Sequence, residues 1–258
     1  MGIGVTQGGW RYAAASAIGT SHQIAQTVCQ DAHSLRFIER LDAFVGVVSD
    51  GAGSASQSQV GSRRTCDVVM STVATAPLET LFMQSLAADV LERVRIELQS
   101  LADEAGLGVR EFACTMLVAI IGREKAVFWQ IGDGAICFRQ RSADRFDYAF
   151  WPEKGEYANV TLFVTDQRAQ NNLEFDMTSG DVAELAIFSD GLERLALDFA
   201  AGEAHTAFFT GLFPSVHALQ DAGYSADLSY QIEAFLNSER VNRRTDDDKT
   251  LLLATRVP

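Results

Sequence analysis

The sequence predicts an α+β fold in four layers, α-β-β-α: two antiparallel sheets face to face, with helices outside. Three observations carry this expectation. The element order is strands, two helices, many strands, helices, strand. Consecutive strands are joined by short turns, which argues for antiparallel hairpins and against the βαβ units of a parallel sheet. Finally, Asp-Gly or Asp-Asp steps stand at the ends of apolar runs, as expected for buried strands entering or leaving turns.

Residues 11–18 read as an edge strand, and 32–38 as a second strand after the Gln30-Asp31 pair. Residues 43–49 are strongly strand-like, carrying Phe44, Val45, Val47 and Val48. A Gly/Ser-rich turn at 51–56 leads to a helix over 60–76 with small residues on one side, broken by Pro77. The clearest helix spans 78–105: Leu86, Val90, Val94, Leu98 and Leu101 recur at helical spacing, and the Gly106-Leu107-Gly108 step ends it. Residues 112–121 are apolar at both alternating positions, the pattern of a central strand covered on both faces. Strands follow at 126–131, 135–139, 146–151, 160–165 and 183–189, helices at 204–212 and 226–237, and a last strand at 250–255. The aromatic residues Phe146, Tyr148, Phe150 and Trp151 read as sheet packing, and Phe208, Phe209 and Phe213 as a helix core face.

A chain of 258 residues with few prolines and no Gly/Ser tract fits one domain over 1–258. Its net charge of -13 repels nucleic-acid phosphates, so no nucleic-acid partner is expected. Cys29, Cys66, Cys114 and Cys137 form no Cys-x-x-Cys pair and have no zinc-like spacing; Cys114 and Cys137, in apolar runs, read as core thiols. No signal-peptide pattern and no run of membrane-span length is present, so the expectation is a cytoplasmic protein without a membrane partner, working as a monomer.

The chemistry lies in the aspartates. Asp50 follows an apolar strand, and Gly51 lets the backbone turn sharply and present its carbonyl. Ser189-Asp190-Gly191 repeats the arrangement, and Asp247 stands before the last strand. A single Asp-Gly turn is common, but several at apolar strand ends can gather carboxylates at one place. Such carboxylates repel one another unless a divalent cation binds, and oxygen-only ligands favour Mg²⁺ or Mn²⁺ over Zn²⁺. Two ions held by shared carboxylates activate a water and neutralise phosphoryl oxygens. The chain also lacks a Cys-x5-Arg cradle and a Gly-x-Ser-x-Gly elbow. The residues therefore read as a metal-dependent hydrolase of phosphate esters.

The ordered set Gln30-Asp31, Ser49-Asp50-Gly51-Ala52-Gly53-Ser54, Gly132-Asp133-Gly134, Ser189-Asp190-Gly191 and Asp247-Asp248-Lys249-Thr250 resembles the protein phosphatase 2C family of metal-dependent Ser/Thr phosphatases, over about residues 19–253. The stretch Gly155-Glu156-Tyr157-Ala158-Asn159-Val160-Thr161 resembles a bacterial branch of it. The resemblance implies a binuclear Mn²⁺ or Mg²⁺ centre in a cleft at one end of the sheets. Asp50 would bridge both ions, with the Gly51 carbonyl on one, Asp190 and Asp247 on the other, and Asp31 acting through bound water. Asp133 matches an aspartate for a third ion. A metal-bridged water would attack the phosphoryl group directly, with Asp50 and Asp190 central to catalysis. The substrate would be a phosphoserine or phosphothreonine protein, with a cognate Ser/Thr kinase as its counterpart.

Two positions depart from that pattern. Ala52 stands where animal members carry a general-acid His, and Gln26 where an Arg clamps phosphate. His22 and His33, which flank Asp31, are the nearest replacements for the acid, with His22 taken as a catalytic candidate; both also fit plain surface or strand-edge roles. Arg63 and Arg64 are candidates for phosphate contact but fit a solvated helix face better, and Ser54 with the backbone after Gly51 is a candidate anion nest. His205 and His217 lack metal-like spacing, and the basic run at 240–244 reads as a solvated loop with local charge pairing. Two alternatives stay open: a weak or inactive pseudo-phosphatase that binds phosphoproteins, and a hydrolase of small phosphate esters.

Overall fold

The structure, a computed structural model, describes residues 9–152 and 161–257. In chain order its strands and α-helices are β1 (Trp10–Ala17), α1 (Thr20–Ala25), β2 (Ala32–Ile38), β3 (Ala43–Ser49), α2 (Ser58–Thr75), α3 (Gln84–Ala105), β4 (Met116–Ile121), β5 (Lys125–Ile131), β6 (Ala135–Gln140), β7 (Asp147–Tyr148), β8 (Glu174–Ser179), β9 (Val182–Phe188), α4 (Glu193–Ala196), β10 (Leu197–Asp198), β11 (Glu203–Ala204), α5 (Thr206–His217), β12 (Gly223–Tyr224), α6 (Ala226–Leu236), α7 (Glu239–Asn242) and β13 (Lys249–Arg256).

Two sheets dominate, one of six strands in the order β12-β1-β13-β9-β6-β7 and one of five in the order β2-β3-β4-β5-β8, with β10 and β11 forming a small separate ribbon. Every pairing is antiparallel except the two-residue β1–β12 contact. Strand alternation sends successive side chains to opposite faces, and the cores divide accordingly. Phe44, Val48, Leu117, Phe128, Ile136, Ile187 and Leu252 meet between the sheets. Val45, Val47, Val118, Ile120 and Trp129 face α2 and α3, through Val69, Val90, Val94 and Leu98. Ala13, Ala186, Phe188 and Leu251 face α5 and α6, through Phe209, Phe213 and Ile232. These three apolar interfaces are the seams of the expected four-layer sandwich. Phe146 stacks on Phe209 and Phe213, with ring centroids 4.6 and 5.2 Å away, as packing of the outer layer.

Several expectations are corrected. The first strand is not an edge, because β12 covers its start. Residues 161–165 contain no strand; the fifth strand of the second sheet is instead β8, whose side chains are mostly exposed and polar. The long helix begins at Gln84, because residues 78–83 fold into turns, with Thr80 N–H bonded to the Pro77 carbonyl. The strand expected over 146–151 shrinks to Asp147–Tyr148. The short helix α1, with no buried residue, was not anticipated. Part of the motif at 155–161 lies outside the described residues.

Candidate metal centre

The ends of β3 and β9, the start of β13, the β5–β6 turn and the segment before β2 carry the predicted aspartates to one end of the sandwich. Asp50 is clamped at the end of β3. Its N–H donates to Thr115 Oγ1 at 2.9 Å, its carbonyl accepts from Thr115 N–H at 2.8 Å, and Ser49 Oγ donates to the Thr115 carbonyl at 2.6 Å. Gly51 follows in a crowded place: a Cβ there would stand 2.8 Å from the Gln30 carbonyl oxygen and 2.9 Å from Ser58 backbone. A side chain would push apart the loops carrying Asp31 and Asp50.

Asp31, 5% exposed, has its two oxygens treated differently. Its Oδ2 accepts from Ser189 Oγ at 2.7 Å and from Thr250 Oγ1 at 2.8 Å. Its Oδ1 is buried and reached by no hydroxyl or N–H donor, and so is Oδ1 of Asp190. The Asp50 carboxyl touches both the Asp31 and the Asp190 carboxyls, and Asp190 lies within the field of Asp133 and Asp247. Burial and the neighbouring negative charges push Asp50 well above the usual carboxylate range. Burial likewise lifts Asp190 to about 7, with Asp133 and Asp247 adding to the rise. Asp31 rises only to about 6, because burial is opposed by its Ser189, Asp50 and Thr250 hydrogen bonds. Asp247 is also raised, first by burial. Clustered carboxylates with raised affinity for protons have the same want of positive charge that a cation meets.

Asp133 sits between two glycines with positive φ, and its Oδ2 accepts from Thr161 Oγ1 at 2.8 Å. Gly134 N–H donates to Glu193 Oε1 at 3.0 Å, tying this turn to the Asp190 turn. Asp248 anchors the loop in front of β2, accepting from Gly19 N–H and Gln30 N–H, each at 2.6 Å. His22 Nδ1 lies 3.0 Å from Asp248 Oδ1, at ion-pair distance but without hydrogen-bond alignment.

The structure thus brings Asp31, Asp50 with Gly51, and Asp190 into contact, sets Asp133 and Asp247 in the field of Asp190, and places His22 beside Asp248. It does not add the other candidates. Arg63 and Ser54 are exposed, and Arg64 pairs at 3.9 Å with Glu97 on a solvated face. Gln26 is exposed, in a left-handed turn at the end of α1. Ala52 is buried, with its N–H bonded to the Ala113 carbonyl. His33 is held in β2 by Ser16, and burial lowers its pKa. Sequence reasoning missed Ser189, Thr250, Thr115 and Glu193 as supports. One signal was available: a serine precedes both Asp50-Gly51 and Asp190-Gly191, and in each case its hydroxyl fastens the strand end.

The donor chemistry fits a hard divalent cation. Every candidate ligand is a carboxylate or carbonyl oxygen, and two carboxylate oxygens are buried and reached by no hydroxyl or N–H donor. The carboxylates form a string along the sheet ends; among the described residues no three His, Cys, Asp or Glu side chains are already set as a closed cage.

Fold and site define a class: a two-sheet sandwich bearing an all-oxygen carboxylate centre at one end. The chain belongs to the protein phosphatase 2C family, whose description matches residues 18–237. It is 35% identical over 250 residues, covering 95% of this chain and 98% of the relative, to serine/threonine-protein phosphatase 3 of Escherichia coli (strain K12). Its fold is similar to that of the serine/threonine phosphatase Stp1 from Staphylococcus aureus, with TM-score 0.65 and 14% identity over 96% of this chain and 95% of that one. It is similar too to the catalytic domain of the serine threonine protein phosphatase PstP in complex with two manganese ions, with TM-score 0.62 and 14% identity over 97% and 99% of the chains. The family match ends before Asp247, which the sheet itself carries to the site: β13 pairs with β9, the strand that leads into Asp190.

Proposed function

We propose that this chain is a divalent-metal-dependent phosphoprotein phosphatase that transfers the phosphoryl group of phosphoserine or phosphothreonine directly to water. The supporting observation is the carboxylate string Asp31–Asp50–Asp190, with its buried oxygens that no hydroxyl or N–H reaches. Family membership and the 35% identical protein phosphatase support the substrate class. Asp50, Asp190, Asp247 and the Gly51 carbonyl would hold two ions, Mn²⁺ or Mg²⁺, with Asp31 beside them and Asp133 toward a third. When bound, such ions neutralise phosphoryl oxygens and acidify water. The protein's own part is positioning. Ser189 and Thr250 fix one face of Asp31 and leave the other free, while Thr115 fixes Asp50. No cysteine is available as a nucleophile: Cys66, Cys114 and Cys137 are buried, and burial, with Asp31 and Asp248 nearby, drives the Cys29 thiol far above its usual range. His22 is the proposed proton donor to the leaving group, at ion-pair distance from Asp248.

The test is Mn²⁺-dependent hydrolysis of p-nitrophenyl phosphate and of a phosphoserine peptide, wild type against Asp190→Ala. Activity that is lost with a chelator and lost in the variant supports the reading. A wild type that binds Mn²⁺ by calorimetry but turns over neither substrate refutes it and favours a phosphoprotein-binding role, in keeping with Ala52 and Gln26. Turnover of small esters without any peptide activity favours the small-ester hydrolase.

A further inference from the structure

A chain of hydrogen bonds runs from His33 to the carboxylate centre and crosses from one sheet to the other. His33 Nδ1 is 2.9 Å from Ser16 Oγ, Ser16 Oγ is 2.6 Å from Thr250 Oγ1, and Thr250 Oγ1 is 2.8 Å from Asp31 Oδ2. Ser16 and Thr250 are direct partners across β1 and β13, whereas His33 lies on β2 in the facing sheet. Counting protons fixes the direction. A hydroxyl has one proton to give. Thr250 gives its proton to the Asp31 carboxylate, so it must accept in the 2.6 Å contact with Ser16. Ser16 has then given its own, so it must accept from His33, whose Nδ1 therefore carries a proton.

We propose that His33 and Ser16 are positioning residues of this centre. They form a one-way donor chain that commits Thr250 to Asp31 Oδ2 and so leaves Oδ1, the buried oxygen that no hydroxyl or N–H reaches, to the cation. The proposal rests on the metal-dependent reading for the cation, but not for the direction of the chain. Two further bonds support it. Ser189 Oγ also donates to Oδ2, and Thr250 N–H donates to Ser189 Oγ at 2.9 Å, so both hydroxyls on Oδ2 are held by β13. Both hydroxyl donors around Asp31 are thereby spent on one oxygen. Outer partners that orient a ligand in this way typically change metal affinity by about 10–100-fold when removed.

The experiment has two arms. In the metal-free protein, imidazole ¹⁵N chemical shifts report which nitrogen of His33 bears the proton, in wild type and in Ser16→Ala. A ring protonated at Nδ1 in wild type, reverting to the Nε2–H form in Ser16→Ala, supports the chain. A wild-type ring with Nδ1 bare overturns it: Ser16 would then donate to His33, Thr250 would have to donate to Ser16, and no proton would remain for Asp31. In the second arm, calorimetry measures Mn²⁺ dissociation constants for wild type, Thr250→Ser, Thr250→Val and His33→Phe. Thr250→Ser keeps the hydroxyl and is expected within about threefold of wild type, and Thr250→Val and His33→Phe about tenfold or more weaker. Equal affinities across the series overturn the positioning role. Thr250→Ser also shows whether a loss in Thr250→Val reflects the hydroxyl or the fold. If wild type binds no Mn²⁺, the metal-dependent reading fails and takes the cation half of this proposal with it, while the His33 tautomer still decides the chain.

Discussion

Mn²⁺ binding should expel protons, and the structure sets how many. Asp50 makes carboxyl–carboxyl contacts with both Asp31 and Asp190. Two carboxylates cannot share a hydrogen bond unless a proton lies between them, so two contacts call for about two protons. The titration positions agree. At pH 6.5 an Asp31 near 6 is mostly ionised and an Asp190 near 7 is mostly protonated, while burial and the neighbouring carboxylates shift Asp50 toward its protonated form. Ligation requires the ionised forms. Near pH 6 the apparent Mn²⁺ association constant should therefore rise about 100-fold per pH unit, two powers of ten for two protons by mass action. The slope should flatten above the Asp190 value of about 7. The assay is calorimetry at pH 6.0, 6.5 and 7.5 in buffers of differing ionisation enthalpy, from which proton release is read directly. Release of fewer than one proton at pH 6, or an affinity independent of pH, would refute the contiguous carboxyl string.

Without metal the same groups govern stability. Their folded pKa values lie above the unfolded carboxylate value, so the folded state binds more protons between about pH 4 and 7, and the melting temperature should fall as pH rises through that window; saturating Mn²⁺ should remove the slope, whereas a slope of opposite sign would count against the raised values. Gly61→Ala places a Cβ 2.1 Å from the Phe112 carbonyl oxygen, where α2 meets the segment before β4; it should cost about 1–3 kcal/mol in urea unfolding, and an unchanged midpoint would mean this contact is looser than described. Leu98→Ala, fully buried between α3 and the five-stranded sheet, should cost about 2–5 kcal/mol by the same measurement. His22→Ala should slow a phosphoserine peptide by ~10²–10⁴-fold while leaving p-nitrophenyl phosphate nearly untouched, because a good leaving group needs little proton donation; equal losses on both substrates would assign His22 to holding Asp248 instead.

The layers were legible because apolar alternation states them directly. β3 and β4 are buried along their whole length, and their runs of Val, Ile and Phe announce strands covered on both faces. What escaped was structure without that signal. β8 reads Glu-Phe-Asp-Met-Thr-Ser and lies at a sheet edge with most of its side chains in water, so only the single Phe175–Met177 alternation marks it. Residues 161–165 show the converse. Leu162, Phe163 and Val164 look like a strand, yet the segment is a loop held by scattered bonds, among them Val164 N–H to the Cys114 carbonyl and Arg95 Nη1 to the Val164 carbonyl. Local composition cannot tell a paired strand from an extended strap, because the difference lies in what runs alongside.

The same division holds at the centre. Its aspartates were legible because each is joined locally to a turn at an apolar strand end: Asp50-Gly51, Asp133-Gly134, Asp190-Gly191 and Asp247 before β13. The groups that orient them were not, because each acts across a long separation and is chemically ordinary where it stands. Ser16 is a small polar residue in an alanine-rich strand, Thr250 a β-branched residue in another, and Ser189 one more serine before a turn. Ser16 and Thr250 meet only because the register of β1 against β13 makes them partners across 234 residues, and Thr250 reaches Asp31 only because β2 lies in the facing sheet. Charge clustering can be read from a sequence as residue types at strand ends. Charge orientation is a property of strand register, and in this protein the register decides which oxygen of Asp31 is left free.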